Sequence, residues 1–399
     1  MTETKSSGRQ SPLIWLVFFV IVIDLIGFGI VIPLLPFMAP SMGGDSTDVA
    51  LIMITYSLGA AIVAPFWGRL SDQWGRRNAL MLALVASALA YLVTAGAEVL
   101  WQVYLGRALS GLAAGSLPVA SALMADLSSP ERRAKAMGLV GTAFGLGLIA
   151  GPVLGGVLTG GASPFALPFY SAAVLSLLAA ILAWALLPNR FHVVDTATAV
   201  KDISSGSFGN HVQRHWLLLS QYVIHTAAVS ALIYIFPLWV GNTYSWGPKS
   251  VGYFFGAVGV VMILFQGGLL SWLARKLGLL TVLRAGSALF AVSIALVALS
   301  ADYRWMPAII LVAFTGSTVC LPLLNTIASE LVNTSQRGRM MGATTTSASI
   351  GRILGPLLAA VLLSEIDYSA AWLGCALLVA VLVLWSFTAA NRYSTMNFR

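Results

Sequence analysis

The sequence has few charged residues and almost no cysteine. Charged side chains make up 9% of its 399 residues and hydrophobic side chains 58%, whereas roughly a quarter of the residues in a soluble domain are charged. The shortage of charge excludes an ordinary soluble fold and predicts an integral membrane protein. Cys320 and Cys375 both lie in apolar segments and do not indicate a disulfide framework.

The sequence also lacks the patterns that enzymes use. It has no phosphate-binding glycine loop, no metal-spaced cluster and no nucleophile paired with a base. His192, His211 and His215 are too scattered along a polar segment to predict a metal site. We therefore expect no enzymatic activity, no cofactor and no metal, and an energy source other than ATP.

Long, continuous apolar runs are abundant, and they favour membrane-spanning helices over the alternating strands of a barrel. Hydropathy predicts twelve spans, so that both termini lie on one side of the membrane. The predicted spans are residues 13–36, 50–67, 78–96, 100–125, 137–159, 167–187, 216–239, 250–272, 279–299, 306–331, 341–363 and 370–389.

Most of the 22 Lys and Arg residues lie at the two termini and in the even-numbered loops. Outside the spans, only Lys249 and Arg304 fall on the opposite side. Because positive residues are retained on the cytoplasmic side, both termini are predicted to be cytoplasmic. The net charge of +8 then reflects membrane topology, and we expect no nucleic-acid partner.

The two halves of the chain are repeats. Leu117–Leu158 aligns without a gap with Leu321–Leu362, and the matched positions include prolines and arginines, which apolar composition alone does not align. Parallel six-span repeats are typical of transporters whose substrate site lies between the halves near the membrane midplane. We predict an all-α membrane protein of two pseudo-symmetric six-helix bundles, residues 1–190 and 215–399, joined by a cytoplasmic linker, residues 191–214.

The first span contains a single ionisable residue, Asp24. A carboxylate at that depth costs roughly 2.5–3.5 kcal/mol on insertion scales, which favours a functional role over a pair that merely joins two helices. In the second half, His225 falls at the aligned position. We predict that both residues take part in proton coupling, with a structural histidine as the alternative for His225.

The loop between the second and third spans reads GRLSDQWGRRNAL, residues 68–80. Its glycines are expected to form tight bends. Its aspartate is expected to cap the next helix and to meet cations, and its arginines to anchor at the membrane surface. The segment resembles the loop signature of the major facilitator superfamily and matches it at every fixed position. In that family this loop latches the two halves on the cytoplasmic side and governs the change in which side of the membrane has access to the substrate site. The resemblance implies a cytoplasmic gate made of Gly68, Asp72, Gly75, Arg76 and Arg77, held by Asp126.

The fourth and fifth spans carry two further patterns of that family. Arg107 is followed by glycines four and eight positions later, similar to the motif R-x-x-x-G-x-x-x-G. We predict that Arg107 modulates the protonation of Asp24; a static ion pair is the alternative. GLGLIAGPVLGG resembles the signature of drug–proton antiporters, with Gly147, Gly151, Pro152, Gly155 and Gly156 as its motif residues.

The resemblance is greatest to the tetracycline-efflux branch and covers nearly the whole chain. It implies a proton-coupled exporter of a small amphiphilic drug or metabolite, acting as a monomer in the bacterial inner membrane. Tetracycline pumps carry an acid before a tyrosine in the third span, whereas here Ala90 precedes Tyr91. We therefore expect a substrate other than tetracycline.

Arg352 has no counterpart in the first half, where Leu148 is found. A second arginine at this depth predicts an anionic or zwitterionic substrate; a local pair with a carbonyl or a carboxylate is the alternative. The predicted substrate cavity consists of Asp24, Tyr91, Arg107, Phe144, Tyr222, His225, Tyr234, Phe236, Asn325 and Arg352.

Three other functions are compatible with these patterns. The first alternative is export of an endogenous product such as a metallophore or a lipid. The second is import of an anionic nutrient together with protons, and the third is a role as a transporter-like sensor or scaffold. Counterflow with the pH gradient set in both directions separates the transport alternatives. An intact gate motif and charges at the midplane argue against a scaffold, because both are costly to keep in a membrane.

Overall fold

A computed structural model describes residues 10–128, 133–161, 163–188, 207–300, 304–332 and 337–388. The regular structure in these residues is helical throughout, so the predicted all-α class is confirmed. The helices are α1 (Gln10–Val31), α2 (Leu35–Ser41), α3 (Ser46–Trp74), α4 (Arg76–Ala95), α5 (Leu100–Leu112), α6 (Ser116–Asp126), α7 (Arg133–Leu158), α8 (Ala166–Leu186), α9 (Ser207–Tyr244), α10 (Pro248–Leu264), α11 (Leu270–Leu277), α12 (Leu279–Leu299), α13 (Met306–Glu330), α14 (Arg337–Glu365) and α15 (Tyr368–Thr388).

Within the described ranges, eleven helices are long and apolar enough to cross a membrane. The predicted eighth span, 250–272, differs: α10 is shorter, and a π-helical segment, Phe265–Leu269, separates it from α11. Gly268 in this segment has φ = 140°, which L side chains rarely adopt. The backbone therefore breaks where hydropathy alone continues the span.

The predicted first and fourth spans are each divided. α1 ends at Val31, and a turn with Pro33 separates it from α2. The fourth span consists of α5 and α6, with residues 113–115 between them. Trp67 Nε1 donates a hydrogen bond of 2.9 Å to the carbonyl of Leu112, which supplies a partner for a carbonyl at the broken helix end.

The chain divides into two compact units that interleave along the sequence. The first unit comprises Met1–Gly44, Thr55–Lys201 and Trp246–Ile263, and the second comprises Asp45–Ile54, Asp202–Ser245 and Leu264–Arg399. These units follow spatial contacts, whereas the predicted boundaries at 190 and 215 follow the repeat and stay a prediction. Residues 189–206 of the linker region lie outside the described residues, and α9 begins within the predicted linker.

Each unit has its own apolar core. In the first unit the core consists mainly of residues from α1, α4, α6, α7 and α8. In the second it consists mainly of residues from α9, α12, α13 and α15. Many large apolar side chains, such as Trp184 and Leu384, remain exposed on the outer helix faces, as lipid-facing residues do.

Candidate functional site

The glycine face of α7 packs directly against α1, the helix that carries Asp24. A Cβ added at Gly147 would lie 2.6 Å from Leu25 Cβ, and one added at Gly151 would lie 2.6 Å from Gly29 Cα. Both distances are well inside van der Waals contact, so these positions accept only glycine at the present helix spacing. The antiporter-like motif thus fixes the position of α1.

Gly155 also faces α1, at Ile30, whereas Pro152 and Gly156 face a different helix of the first unit, α10. A Cβ added at Gly156 would lie 2.7 Å from the carbonyl oxygen of Pro248. The carbonyl of Pro152 lies against Gly252, where a Cβ would also clash. α7 is therefore held closely on two sides, by α1 and by α10.

Asp24 is buried in the first unit, with 8% of its surface exposed. Ser116 Oγ donates a hydrogen bond of 2.5 Å to Asp24 Oδ2, and Ser176 Oγ donates one of 3.4 Å to Oδ1. Ser116 is the first residue of α6, immediately after the break in the fourth span. Because a hydroxyl group both donates and accepts, this pair can hold the carboxylate or the neutral acid.

Arg107 does not form an ion pair with Asp24. Its guanidinium lies over the ring of Tyr56, with Cζ 4.4 Å from the ring centroid, and its buried Nε has no hydrogen-bond partner. Gly111, one turn after Arg107, makes this stacking possible, because a Cβ there would lie 2.5 Å from the backbone oxygen of Tyr56. The static ion pair is not observed, and the predicted effect of Arg107 on Asp24 stays a prediction.

Tyr91 joins the two charged residues into one cluster. It is buried and interacts electrostatically with Asp24, Tyr56 and Arg107. Its neighbour Ala90 is fully buried. The sequence did not point to Ser116 and Ser176 as partners of Asp24, because a single serine in an apolar helix forms no recognisable motif. The polar cluster of the first unit is Asp24, Tyr56, Tyr91, Arg107, Ser116 and Ser176.

His225 lies in the second unit in different surroundings from those of Asp24. It is 4% exposed, its ring packs edge-on against Phe290 with centroids 6.3 Å apart, and its Nδ1 has no hydrogen-bond partner. One helical turn earlier, Gln221 Oε1 is also buried without a partner. His225 thus stands at the position that aligns with Asp24, but its Nδ1 lacks a partner such as the hydroxyl groups that contact Asp24.

The residues predicted to line the cavity from the second unit are not all exposed. Tyr222 donates a hydrogen bond of 3.0 Å to Asn325 Oδ1, and Asn325 itself is exposed. Tyr234 and Phe236 have no exposed surface, because they pack inside the core of the unit. Their assignment as cavity-lining residues stays a prediction.

Of the remaining predicted cavity residues, Phe144 is half-buried and packs against the core of the first unit. Arg352 is exposed in the middle of α14. Its Nη2 donates a hydrogen bond of 2.9 Å to Ser349 Oγ, and its backbone carbonyl accepts one of 3.3 Å from Ser230 Oγ. The helix thus presents this guanidinium at its surface.

Arg76 is the centre of the gate motif. Its Nη1 lies 2.7 Å from Asp72 Oδ1 and donates a hydrogen bond of 2.6 Å to Ser71 Oγ, while its Nε donates one of 2.9 Å to Asp126 Oδ2. These contacts connect the end of α3, the start of α4 and the end of α6. Asp126 therefore lies in contact with the loop that the family resemblance associates with it.

Two details of the gate prediction are wrong. α3 continues through Gly68 to Trp74, so the chain bends only at Gly75, which has φ = 87°. Gly75 is also the N-cap of α4, so Asp72 does not cap the helix. The Asp72 carboxylate pairs with Arg76, which is the contact with a cation that the sequence also predicted. Arg77 donates a hydrogen bond to the backbone carbonyl of Trp184.

The sequence is similar to bacterial drug-resistance transporters. It is 31% identical over 355 residues to a class D tetracycline resistance protein of Salmonella ordonez, covering 87% of this chain and 89% of the relative. It is 30% identical over 347 residues to a class B tetracycline resistance protein of Escherichia coli, covering 85% and 86%. The predicted resemblance to the drug–proton antiporter branch is confirmed.

The fold is similar to that of solved transporters. A bacterial homologue of the human lysosomal transporter Spinster, in an inward-facing occupied state, matches with a TM-score of 0.77 at 13% identity. The match covers 97% of this chain and 98% of that chain. The family model of the Major Facilitator Superfamily matches residues 17–356 and 218–396. The chain belongs to this superfamily of membrane transporters, which are not enzymes.

Proposed function

We propose that the protein is a proton-coupled exporter of a small amphiphilic drug or metabolite, working by antiport and alternating access. The observation that carries the proposal is the buried Asp24 carboxylate, which is held by two hydroxyl groups and not by a cation. The relatives named for tetracycline resistance support export. Cytoplasmic termini, an inner-membrane location and action as a monomer belong to the same proposal.

The energies favour a switch between two pairings of Arg107. Burial disfavours a charged carboxylate, whereas hydrogen-bond donors and a nearby cation favour it. Stacking of Arg107 on Tyr56 is worth about 0.5–2 kcal/mol, and a hydrogen bond to a charged group about 1.5–3 kcal/mol. A deprotonated Asp24 therefore competes with Tyr56 for Arg107, and a protonated Asp24 does not.

This competition gives the first unit two arrangements that differ by one proton. A ligand shifts an equilibrium only by the difference between its affinities for the two states. Antiport therefore requires that the substrate binds more tightly to one arrangement and the proton to the other. The Arg76 contacts with Asp72 and Asp126 would form the cytoplasmic gate, whose opening and closing follow that shift. His225 would contribute a second titratable group at the same depth in the second half.

Asp24→Asn tests the proposal. The amide imitates the neutral acid, so we expect reconstituted protein to retain substrate exchange without a gradient but to lose accumulation driven by a pH gradient. The substrate for the assay is a compound to which cells expressing the protein become less susceptible. Glu98→Gln, which removes an exposed acid at the start of α5, is the matched control and should accumulate substrate normally.

The direction of the pH gradient distinguishes export from import. Efflux that is accelerated by protons moving the opposite way supports antiport, whereas uptake in the same direction as protons means a symporter. If Asp24→Asn retains the wild-type dependence on the pH gradient, Asp24 is not the coupling residue. The proton would then have to be carried elsewhere.

A further inference from the structure

The start of α4 and the end of α8 form a cavity on the surface of the first unit. It has a volume of about 550 Å³ and is lined by Arg77, Asn78, Met81, Trp184 and Ala185. The two helices pack against each other, and both are long and apolar enough to span the membrane. The cavity therefore lies where two neighbouring spans reach one membrane surface, on the side of the gate. We call it the α4–α8 cavity.

Arg77 supplies the positive charge of this cavity. Its guanidinium donates a hydrogen bond from Nη2 to the backbone carbonyl of Trp184, and its buried Nε has no hydrogen-bond partner. A guanidinium has five N–H donors, and in the part of the chain that the structure describes only this one is bonded. The contact with Trp184 thus fixes Arg77 beside the cavity and leaves donors for an acceptor from outside the protein.

The acids that the structure describes do not neutralise Arg77. Those of the first unit are Asp24, Asp72, Glu98 and Asp126. Asp72 and Asp126 both contact Arg76, and Asp24 is held by two serines. Glu98 lies beyond the other end of α4, about 30 Å from the start of that helix. Across the described residues of both units, no carboxylate forms an ion pair with Arg77.

Exposed apolar side chains continue from the cavity along both helices. They are Leu82, Val85 and Leu89 on α4 and Val174, Leu177 and Ile181 on α8. On each helix the three residues lie within an arc of about 60°, and they extend about 15 Å from the cavity. That distance is half of the ~30 Å hydrocarbon core, so this apolar path has the length of one leaflet of the bilayer.

Two tryptophans lie at the outer end of the cavity. Trp184 lines it, and the carbonyl of Trp74 accepts a hydrogen bond of 3.1 Å from Asn78 Nδ2. Both indole rings are exposed, and tryptophan is enriched at the level of the lipid headgroups. Met81 lies one turn further along α4 than Arg77, about 6 Å deeper. The cavity is therefore cationic at headgroup level and apolar below it.

We propose that the α4–α8 cavity binds the phosphate group of an anionic phospholipid, with Arg77 as the binding residue and one acyl chain along the apolar path. Guanidinium donors match the geometry of phosphate oxygens. A soluble phosphate would not use the apolar path, and a zwitterionic headgroup would bring a second cation to a lining without an acid. This inference goes beyond transport and does not depend on proton coupling.

The experiment measures the first lipid bound to the purified full-length protein in detergent, by native mass spectrometry. The probes are dioleoylphosphatidylglycerol, dioleoylphosphatidylcholine with the same acyl chains, and sn-glycerol 3-phosphate without them. We expect phosphatidylglycerol to bind about 5- to 20-fold more tightly than phosphatidylcholine, as one basic residue at a membrane surface predicts. Glycerol 3-phosphate should bind at least about 100-fold more weakly than phosphatidylglycerol, because it buries no apolar surface.

Two kinds of variant test the site separately. Arg77→Gln should remove the preference for phosphatidylglycerol, and Arg77→Lys should keep part of it, because the charge remains but the paired geometry is lost. Ala185→Phe fills the cavity from an exposed position without changing charge, and should weaken phosphatidylglycerol about fivefold or more. The matched controls are Arg69→Gln, at an exposed cation of α3, and Ala285→Phe, at an exposed alanine of α12; both should change the affinity less than about twofold.

The proposal is overturned if the wild type does not prefer phosphatidylglycerol, or if Arg77→Gln keeps that preference. An unchanged affinity in Ala185→Phe would also overturn it, and this variant decides the question if Arg77→Gln does not fold. Glycerol 3-phosphate that binds as tightly as phosphatidylglycerol, and is lost in Arg77→Gln, would assign the cavity to a soluble phosphate and refute a lipid site. Binding is measured without a gradient, so failure of the Asp24→Asn experiment leaves this result unaffected.

Discussion

The close packing of α1 on α7 predicts that Gly151→Ala is strongly disruptive, although it adds only one methyl group. The added Cβ would lie 2.6 Å from Gly29 Cα and 2.7 Å from the carbonyl oxygen of Ile26. Both neighbours are backbone atoms and cannot rotate away. Ordinary contact begins at 3.4 Å, so α1 and α7 must separate by about 0.8 Å, and overpacking of this kind costs about 1–3 kcal/mol.

Gly138→Ala is the matched control in the same helix. A Cβ added at Gly138 meets no atom within 4 Å, so the change should be neutral or slightly stabilising, because alanine favours the helix. At about 2–4 °C per kcal/mol for a large domain, we expect Gly151→Ala to unfold roughly 2–12 °C below the wild type. Gly138→Ala should unfold within about 1 °C of the wild type or above it.

The repeat supplies the same comparison in the second unit. A Cβ added at Gly355 would lie 3.0 Å from Ala227 Cα, whereas one added at Gly342 meets nothing within 4 Å. Thermal unfolding of the four variants in detergent, followed by tryptophan fluorescence, measures both pairs. Equal midpoints for Gly151→Ala and Gly138→Ala would refute the reasoning, because the helix spacing would then not depend on glycine.

Two further predictions concern the polar cluster and the gate. Ser116→Ala removes the shorter hydrogen bond to Asp24 and should slow transport driven by a pH gradient several-fold, because the carboxyl group loses a partner that positions it. Ser110→Ala, whose hydroxyl bonds its own helix at Gly106, should leave the transport rate unchanged. Asp126→Asn weakens the contact with Arg76 and should slow transport while lowering stability by less than about 1 kcal/mol. Glu330→Gln, at the matching position of the second half, should do neither, and equal transport rates for these two variants would contradict the gate assignment.

The sequence predicted the helical class and nearly all the spans correctly, because insertion into lipid depends on the summed apolarity of about 20 consecutive residues. It failed at the eighth span, where α10 stops early. The two glycines in the π-helical segment permit a break in the helix, and a hydropathy profile does not detect such a break. The gate was also predicted in outline, but the sequence does not determine which glycine forms the bend.

The site was predicted less completely. Asp24 and Arg107 were identified as rare charges in apolar helices, yet their partners, Ser116 and Tyr56, lie on other helices. Partner choice depends on which helix faces are in contact, and spacing along one helix does not contain that information. Tyr234 and Phe236 show the same difficulty, since an aromatic residue is equally suited to a core and to a cavity.

The sequence by itself determined that this chain spans a membrane, repeats its six-helix pattern and carries one acid at membrane depth. These properties depend only on the order of apolar, charged and small residues. The tertiary structure decided that hydroxyl groups hold the acid, that Arg107 stacks on a ring and that Arg77 contacts the end of α8. Those outcomes depend on distances of a few ångströms between residues far apart in the chain, which only the packing of the helices fixes.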